Sequence, residues 1–460
     1  MVNIAKKLNR TNLRHMAEII VLLMLILSSV ALIVFKYGFI LKDYYKIFDE
    51  NGENYSEEIL ENAARPKSVT IRFSPDSVTV LTAQSAADEA AGACRASLRS
   101  AILENKMSQE DFETYSKISG LPAVVLTYDG ISSDIVEKSL GLKNTEFSDI
   151  GAVEEIIFLL EDYKNKEIWV KSGNYYKLSK TASFDMDFVN SIKQTNYTAY
   201  YPILDFVTGK GSNVLIPLNP KFTLSECSIK PYTKQDRPQT VAAEIFGGRI
   251  DFTSYVRQKD SSVFYSYNNG EEVLSIDANQ MLSYKNHISV RTEPSQHEAI
   301  CEALAFLRKV TGGDTPYAVL KLTPHGKLRS WDGYTFYIAR LHNNIPIIIT
   351  DADKREYIKV TNGKVSEALI WLKDYELLDS QSQNRIISPI NTLDMEIEKV
   401  LKVLDFKDAR QVMEHIDDIS LIYTADITKS KLIPAWKYEA GDNYFIIDAA
   451  NGVMLSYGHI

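Results

Sequence analysis

An uninterrupted apolar stretch near the amino terminus is the strongest pattern in the chain. Residues 19–35 include no charged residue, and apolar residues resume after Lys36 and continue to Leu41. Because a helix of about 20 apolar residues crosses a bilayer, we predict a transmembrane helix over residues 16–41. Its candidate anchor residues are Ile19, Leu23, Leu27, Ser28, Ser29 and Phe35.

Basic residues ahead of this stretch determine the orientation that we predict. The candidate topology determinants are Lys6, Lys7, Arg10 and Arg14. Positively charged flanks stay on the cytoplasmic side of a membrane. We therefore predict a cytoplasmic tail over residues 1–15 and a single-pass protein of the cell membrane whose carboxyl-terminal region is extracellular.

A cleaved signal peptide is the alternative interpretation of the same stretch. Ser29 to Ala31 has the small-x-small form of a cleavage site. The apolar run continues directly through Phe35, however, so that such a site would lie inside it. This continuity favours an uncleaved anchor.

The alternation of apolar and polar residues divides the exported region that follows. Residues 42–66 are polar and acidic and are predicted to form a stalk, with a short helix near its end. Residues 67–150 are predicted to be an α+β domain with a hairpin turning at 74–76, an alanine-rich helix over 83–105 and a buried strand at 123–127. Ser108 and Asp111 resemble a capping box and predict another short helix there.

Residues 151–290 have mostly the pattern of strands and are predicted to be a β-rich middle domain. The pairs Gly173-Asn174 and Asn269-Gly270 each separate two alternating runs. Such pairs are typical of the turns of β-hairpins. The tyrosines of this segment suit half-buried pleated surfaces.

The last third of the chain contains a weak internal repeat. A helix capped by Ser295 and a second helix near Asn391 are each followed by strand-like runs. We therefore predict two helix-plus-sheet modules, at residues 291–380 and 381–460. The expected fold class is α+β: a transmembrane helix, then an elongated exported region of mixed α/β and antiparallel-sheet modules that ends in these two units.

Charge and cysteine content narrow the class of protein. The formal net charge is −9 and residues 1–42 carry six basic and one acidic side chain, so the remaining residues carry a net charge of −14. An acidic exported region argues against nucleic acid or anionic lipid as its ligand.

The three cysteines, Cys94, Cys227 and Cys301, are too few and too dispersed for a disulfide framework, although one bridge could form.

Motifs for chemistry are weak in this sequence. His297, Glu298 and Cys301 come close to the zinc pattern H-E-x-x-H, but the second histidine is replaced by cysteine. The glycines around Lys210 lack the spacing of a phosphate-binding loop. We therefore predict no catalytic residue, no metal site and no cofactor.

Two stretches of the exported region resemble the YycH family. The first runs from Phe252 through Arg257 and the hairpin at Gly270 to Tyr284 and Asn286. The second lies in the carboxyl-terminal third and resembles the PepSY-like modules of YycH and its relative YycI. It comprises Trp331 to Tyr337, Asn362-Gly363, Pro434 to Trp436 and Tyr444 to Gly452.

The resemblance implies a function in signalling. YycH-type proteins are bitopic membrane proteins of Gram-positive bacteria and are not enzymes. They associate with a sensor histidine kinase of the WalK (YycG) type, within a two-component system, and adjust cell-wall homeostasis. The resemblance therefore implies the kinase, and a second YycH- or YycI-type protein, as partners. Contacts through the membrane helix and the exported domains are expected. The small residues Ser28 and Ser29 suit either packing against another membrane helix or hydrogen bonding to their own backbone.

Three other functions agree with the same sequence. The PepSY-like units suggest a regulator or inhibitor of an envelope peptidase. A cell-wall enzyme would bring carboxylates or His287, His325 and His342 together in one pocket. A structural envelope scaffold would need neither feature.

Overall fold

The computed structural model describes residues 57–82, 84–104, 107–118, 120–160, 167–179, 186–194, 197–203, 214–230, 237–288, 295–312, 317–327, 330–343, 345–349, 355–372, 374–377, 383–426 and 431–459. The predicted membrane helix over 16–41, its anchor residues and the four basic topology determinants lie outside these ranges. None of the helices within these ranges combines the length and apolar character needed to span a membrane.

A nine-stranded antiparallel sheet occupies the first part of the described chain. Its strands, in spatial order, are β3-β7-β6-β5-β4-β1-β2-β8-β9. They are β1 (Ser68–Ser74), β2 (Ser77–Val80), β3 (Met107–Glu110), β4 (Ala123–Ser132), β5 (Ala152–Leu159), β6 (Glu167–Ser172), β7 (Asn174–Ser179), β8 (Tyr200–Pro202) and β9 (Leu215–Pro217). The hairpin predicted to turn at 74–76 and the strand predicted at 123–127 are confirmed as β1–β2 and β4.

Five α-helices lie in the same part of the described chain as this sheet. They are α1 (Glu57–Ala63), α2 (Gln84–Glu104), α3 (Phe112–Ile118), α4 (Ser133–Ser139) and α5 (Met186–Gln194). The alanine-rich helix predicted over 83–105 is confirmed as α2, which contacts β1 and β7. Its small side chains allow close packing, and Leu98 of α2, Ile71 of β1 and Trp169 of β6 are buried.

The helix predicted to begin at Ser108 is wrong in its position. Ser108 lies in β3, which pairs with β7 at the edge of the sheet. Asp111 instead caps α3, because its carboxylate accepts a hydrogen bond of 2.8 Å from the backbone N–H of Thr114. Backbone groups of residues 107–110 are hydrogen-bonded to β7 and cannot begin a helix. Asp111, the last residue of the motif, therefore caps the helix that follows.

A fifteen-stranded sheet forms the rest of the described chain. Its strands are β11 (Cys227–Lys230), β12 (Ser254–Arg257), β13 (Val263–Tyr267), β14 (Glu272–Ile276), β15 (Met281–Asn286), β16 (Tyr317–Lys327), β17 (Ser330–His342), β18 (Ile345–Ile348), β19 (Tyr357–Thr361), β20 (Lys364–Trp371), β21 (Asp374–Leu377), β23 (Ile416–Asp426), β24 (Lys431–Ala440), β25 (Asn443–Asp448) and β26 (Met454–His459). Two short strands, β10 (Thr223–Ser225) and β22 (Gln383–Arg385), pair separately. The mixed, mainly antiparallel fold class is confirmed.

Two similar units follow one another in this larger sheet. In the first, α7 (Gln296–Thr311) precedes the meander β16-β17-β19-β20. In the second, α8 (Pro389–Met395), α9 (Ile397–Leu404) and α10 (Ala409–Glu414) precede the meander β23-β24-β25-β26. Strand β18 joins the two through its pairing with β23, the one parallel pairing among the described strands.

Segment 151–290 contributes to both large sheets. Strands β5 to β9 lie in the nine-stranded sheet, whereas β12 to β15 extend the first meander through the pairing of β15 with β20. Helix α6 (Arg237–Phe246) packs beside α7. Main-chain pairing at the sheet edges, which the sequence pattern does not specify, accounts for this division.

All three cysteines are buried thiols without a disulfide. Burial raises the pKa of Cys94 and raises that of Cys227 to about 11. Cys227 belongs to the core around β18 and β23, together with Ile347 and Tyr423. The cysteines therefore pack as small apolar side chains.

Candidate functional site

Seven neighbouring strands, in the spatial order β12-β13-β14-β15-β20-β19-β17, form a continuous part of the larger sheet with one covered face. On that face α6 and α7 pack over buried side chains, and the rings of Tyr284 and Phe306 of α7 lie 5.0 Å apart. One row of buried residues on this face comprises Tyr265, Leu274, Tyr284, Ala368, Ile358 and Phe336.

The opposite side of these seven strands, which we call the open face, carries half-buried and exposed side chains. Side chains alternate between the two sides of a strand, so the register defines two rows across it. The first row comprises Val256, Phe264, Ser275, Ser283, Leu369, Tyr357 and Tyr337. The second comprises Ser254, Ser266, Val273, Lys285, Glu367, Lys359 and Thr335.

One end of the open face is apolar and accessible. Phe264 is 37% exposed and lies opposite Val256, which is 57% exposed. Phe252, just before β12, is 77% exposed. Large apolar side chains grouped at the surface are typical of sites where another molecule docks.

An ion pair between exposed Arg249 and buried Glu272 holds the turn that presents Phe252. Arg249 lies in the short helix Gly247–Phe252 and donates to both carboxylate oxygens of Glu272. Glu272 is buried and also accepts a hydrogen bond of 2.8 Å from the hydroxyl of Tyr284. This bidentate arrangement fixes the turn relative to β14 and β15.

The centre of the open face is charged. Lys359 and Glu367 lie 3.9 Å apart, and the Tyr357 hydroxyl donates to Glu367 over 3.5 Å. Burial is the main cause that raises the pKa of Tyr357, and the neighbouring Glu367 carboxylate adds to it. A partner that docks here would meet apolar contacts at one end and ion pairs in the middle.

A hydroxyl and imidazole network lies at the far end of the open face. The Nε2 atom of His325 is 3.2 Å from Thr361 Oγ1, and its Nδ1 atom is 3.4 Å from Thr335 Oγ1. Thr361 Oγ1 in turn is 2.7 Å from Ser366 Oγ. Burial lowers the pKa of His325, and the network ties β16, β17, β19 and β20 together at this end.

The near-zinc motif packs inside the protein. His297 and Cys301 are buried on α7, with 3.8 Å between Nδ1 and Sγ. Burial lowers the pKa of His297 and raises that of Cys301 to about 12. Among the residues that the structure describes, no group of three or more histidine, cysteine or acidic side chains could hold a metal ion.

The three histidines that a cell-wall enzyme would bring together in one pocket contact different residues. His325 belongs to the open face, and His342 lies edge-on against Tyr423, with 5.4 Å between ring centroids. His287 is exposed after β15, where its N–H donates to the Glu271 carbonyl. The glycine and lysine segment at 209–212 lies outside the described residues.

Residues 252–257 carry a sequence signal for the accessible end of the open face. These residues belong to the first stretch that resembles the YycH family, but the resemblance does not predict that Phe252 and Val256 are accessible. Strand β12 carries a serine and an arginine beside the exposed Tyr255 and Val256, which is typical of an edge strand. No family model, no curated protein and no solved structure matches this chain.

Proposed function

We propose that the chain is a non-enzymatic, membrane-anchored extracytoplasmic regulator of a sensor histidine kinase. The observation that carries this proposal is the open face, with accessible Phe264 and Val256 at one end and the Lys359–Glu367 pair at its centre. Seven strands held against α6 and α7 form a rigid surface. Such a surface suits recognition of a folded partner domain.

Regulation requires the partner to have two states. A bound protein shifts the equilibrium between two kinase states only by the difference in its affinity for them. Phe264 and its neighbours would contact the exported part of the kinase in one state, and the predicted helix over residues 16–41 would pack beside a kinase helix. Binding energy from both contacts would then bias signalling for cell-wall homeostasis.

A substitution at the apolar end of the open face tests the proposal. Phe264→Glu places a charge in the contact while leaving the covered face of β13 unchanged. We expect co-purification of the full chain with its sensor kinase from membranes to fall about tenfold, as for the loss of one anchor residue. Kinase autophosphorylation in the same membranes should change with it.

The matched control is Leu103→Glu. Leu103 is 60% exposed on α2, beside the other sheet and away from the open face. It introduces the same charge at an exposed apolar position, so kinase binding should persist. Equal binding by wild type and Phe264→Glu, or equal loss in both variants, would contradict a specific role for the open face. Replacing residues 16–41 with an unrelated membrane helix tests the membrane contact separately.

A further inference from the structure

Strand β12 is the terminal strand of the larger sheet. It pairs with β13 on one side, and among the described strands it has no neighbour on the other. All four of its residues are exposed, and Tyr255 and Val256 are 46% and 57% exposed. Natural sheets normally shield such an edge, because its backbone groups readily pair with another strand.

The hydrogen-bonding pattern shows which backbone groups face outward. The N–H of Gln258 donates to the Ser262 carbonyl over 2.8 Å, so residue 258 belongs to a hydrogen-bonded pair with the β13 side. Antiparallel ladders alternate, so residues 256 and 254 also point their N–H and C=O groups toward β13. The N–H and C=O groups of Tyr255 and Arg257 therefore point away from the sheet.

The edge is complementary to itself. Residues 253–257 are extended, and Tyr255 is their midpoint. An antiparallel copy centred on Tyr255 would pair Arg257 with Thr253 of the second copy. Asp251 and Lys259 lie four positions before and after Tyr255 in the sequence, in the short helix Gly247–Phe252 and in a turn, and both are exposed. The same alignment leaves one acidic and one basic residue, from different copies, beyond each end of the paired strands.

We propose that β12 pairs with β12 of a second copy of this chain, about a two-fold axis through Tyr255. Each Tyr255 would exchange N–H···O=C bonds with its counterpart, and each Arg257 N–H would donate to a Thr253 carbonyl. Directly opposed residues share one side of a sheet, so Val256 would lie opposite Ser254 of the second copy. The two open faces would then form one continuous two-fold symmetric surface.

Cysteine cross-linking of the purified full chain in detergent tests this pairing without any kinase. Tyr255→Cys would place two thiols on the axis with about 5.5 Å between Cα atoms, within the range of a disulfide. Lys259→Cys is the matched control, because its two copies would lie beyond opposite ends of the paired strands, where the two Arg257 Cα atoms are already about 14 Å apart at about 3.4 Å per residue. The native cysteines are buried and add little background. We expect about tenfold more cross-linked dimer from Tyr255→Cys than from Lys259→Cys.

A second pair of variants separates backbone pairing from random contact. Arg257→Pro removes an outward N–H and leaves the ladder to β13 intact, whereas Arg257→Ala removes only the side chain. Combined with Tyr255→Cys, the proline should abolish the cross-link and the alanine should retain it. Equal cross-linking of Tyr255→Cys and Lys259→Cys, or a cross-link that survives Arg257→Pro, would overturn the pairing. Because the cross-linking assay contains no kinase, its result neither supports nor refutes the proposed regulatory function.

Discussion

Glu356 is a buried carboxyl group whose replacement should change how stability depends on pH. It lies just before β19, is 6% exposed, and its Oε1 atom accepts a hydrogen bond of 2.8 Å from the Trp371 N–H. The neighbouring Arg340 is also buried and donates to the Trp371 carbonyl and to the Tyr317 hydroxyl. Glu356→Gln keeps the size and the acceptor oxygen while removing the ionisable proton.

The magnitude and sign follow from the pKa of this group. Burial raises the pKa of Glu356 from 4.5 to about 7, although Arg340 and the Trp371 N–H act in the opposite direction. The folded protein then holds the proton more tightly than the unfolded chain does. The stabilisation is complete below about pH 4.5 and is lost as the pH rises to about 7. At about 1.4 kcal/mol per pKa unit, the loss amounts to about 3 kcal/mol.

Chemical denaturation of wild type and Glu356→Gln between pH 4.5 and 8 measures this loss. Other carboxyl groups also titrate, so the informative quantity is the difference in unfolding free energy between the two proteins at each pH. We expect wild type to lose about 3 kcal/mol relative to Glu356→Gln across the window. Glu398→Gln removes an equal charge from an exposed position on α9 and controls for net charge. A constant difference, or a gain by wild type as pH rises, would refute the reasoning and show an ionised Glu356 paired with Arg340.

Two further predictions concern local features of the fold. A Cβ atom on Gly333 would lie 1.9 Å from the Val360 carbonyl oxygen, so Gly333→Ala should separate β17 from β19 and lower the unfolding free energy by about 3 kcal/mol. A Cβ atom on Gly92 in α2 would have no atom within 4 Å other than those of its chain neighbours and its own helix backbone, so Gly92→Ala should instead raise the unfolding free energy by about 1 kcal/mol. Equal effects of the two substitutions on the unfolding free energy would contradict the steric argument. The Ser295 hydroxyl accepts from the Glu298 N–H over 3.3 Å, so Ser295→Ala should lower the melting temperature through a loss of about 1 kcal/mol, whereas Ser295→Asp should not. Equal melting temperatures for alanine and aspartate at this position would exclude the cap.

Elements governed by neighbouring residues were predictable from the sequence. Ser295 caps α7 and Gly312 ends it in the left-handed conformation, as the spacing of polar and apolar residues predicts. The hairpin around Asn269 likewise forms where the turn residues indicate. These features depend on contacts within a few positions of the chain, which the order of residues specifies directly.

Strand pairing between distant segments was not predictable in the same way. Ser108 begins no helix, because its strand β3 pairs with β7, which lies about seventy positions later in the chain. The parallel pairing of β18 with β23 likewise unites two units that the sequence pattern presents as separate. Backbone N–H and C=O groups are the same in every residue type. The order of residues therefore does not specify which distant strand pairs with which.

The amino-acid sequence by itself determined the alanine-rich helix α2, the capped helix α7 and the hairpins at 74–76 and around Asn269. It also predicts a membrane anchor over residues 16–41. Only the tertiary structure decided that Phe264 and Val256 are accessible while Tyr265, one residue away from Phe264, is buried. The physical reason is that alternation assigns side chains to two sides of a strand, whereas burial depends on which side α6 and α7 cover. The candidate binding surface is therefore a property of packing between distant segments.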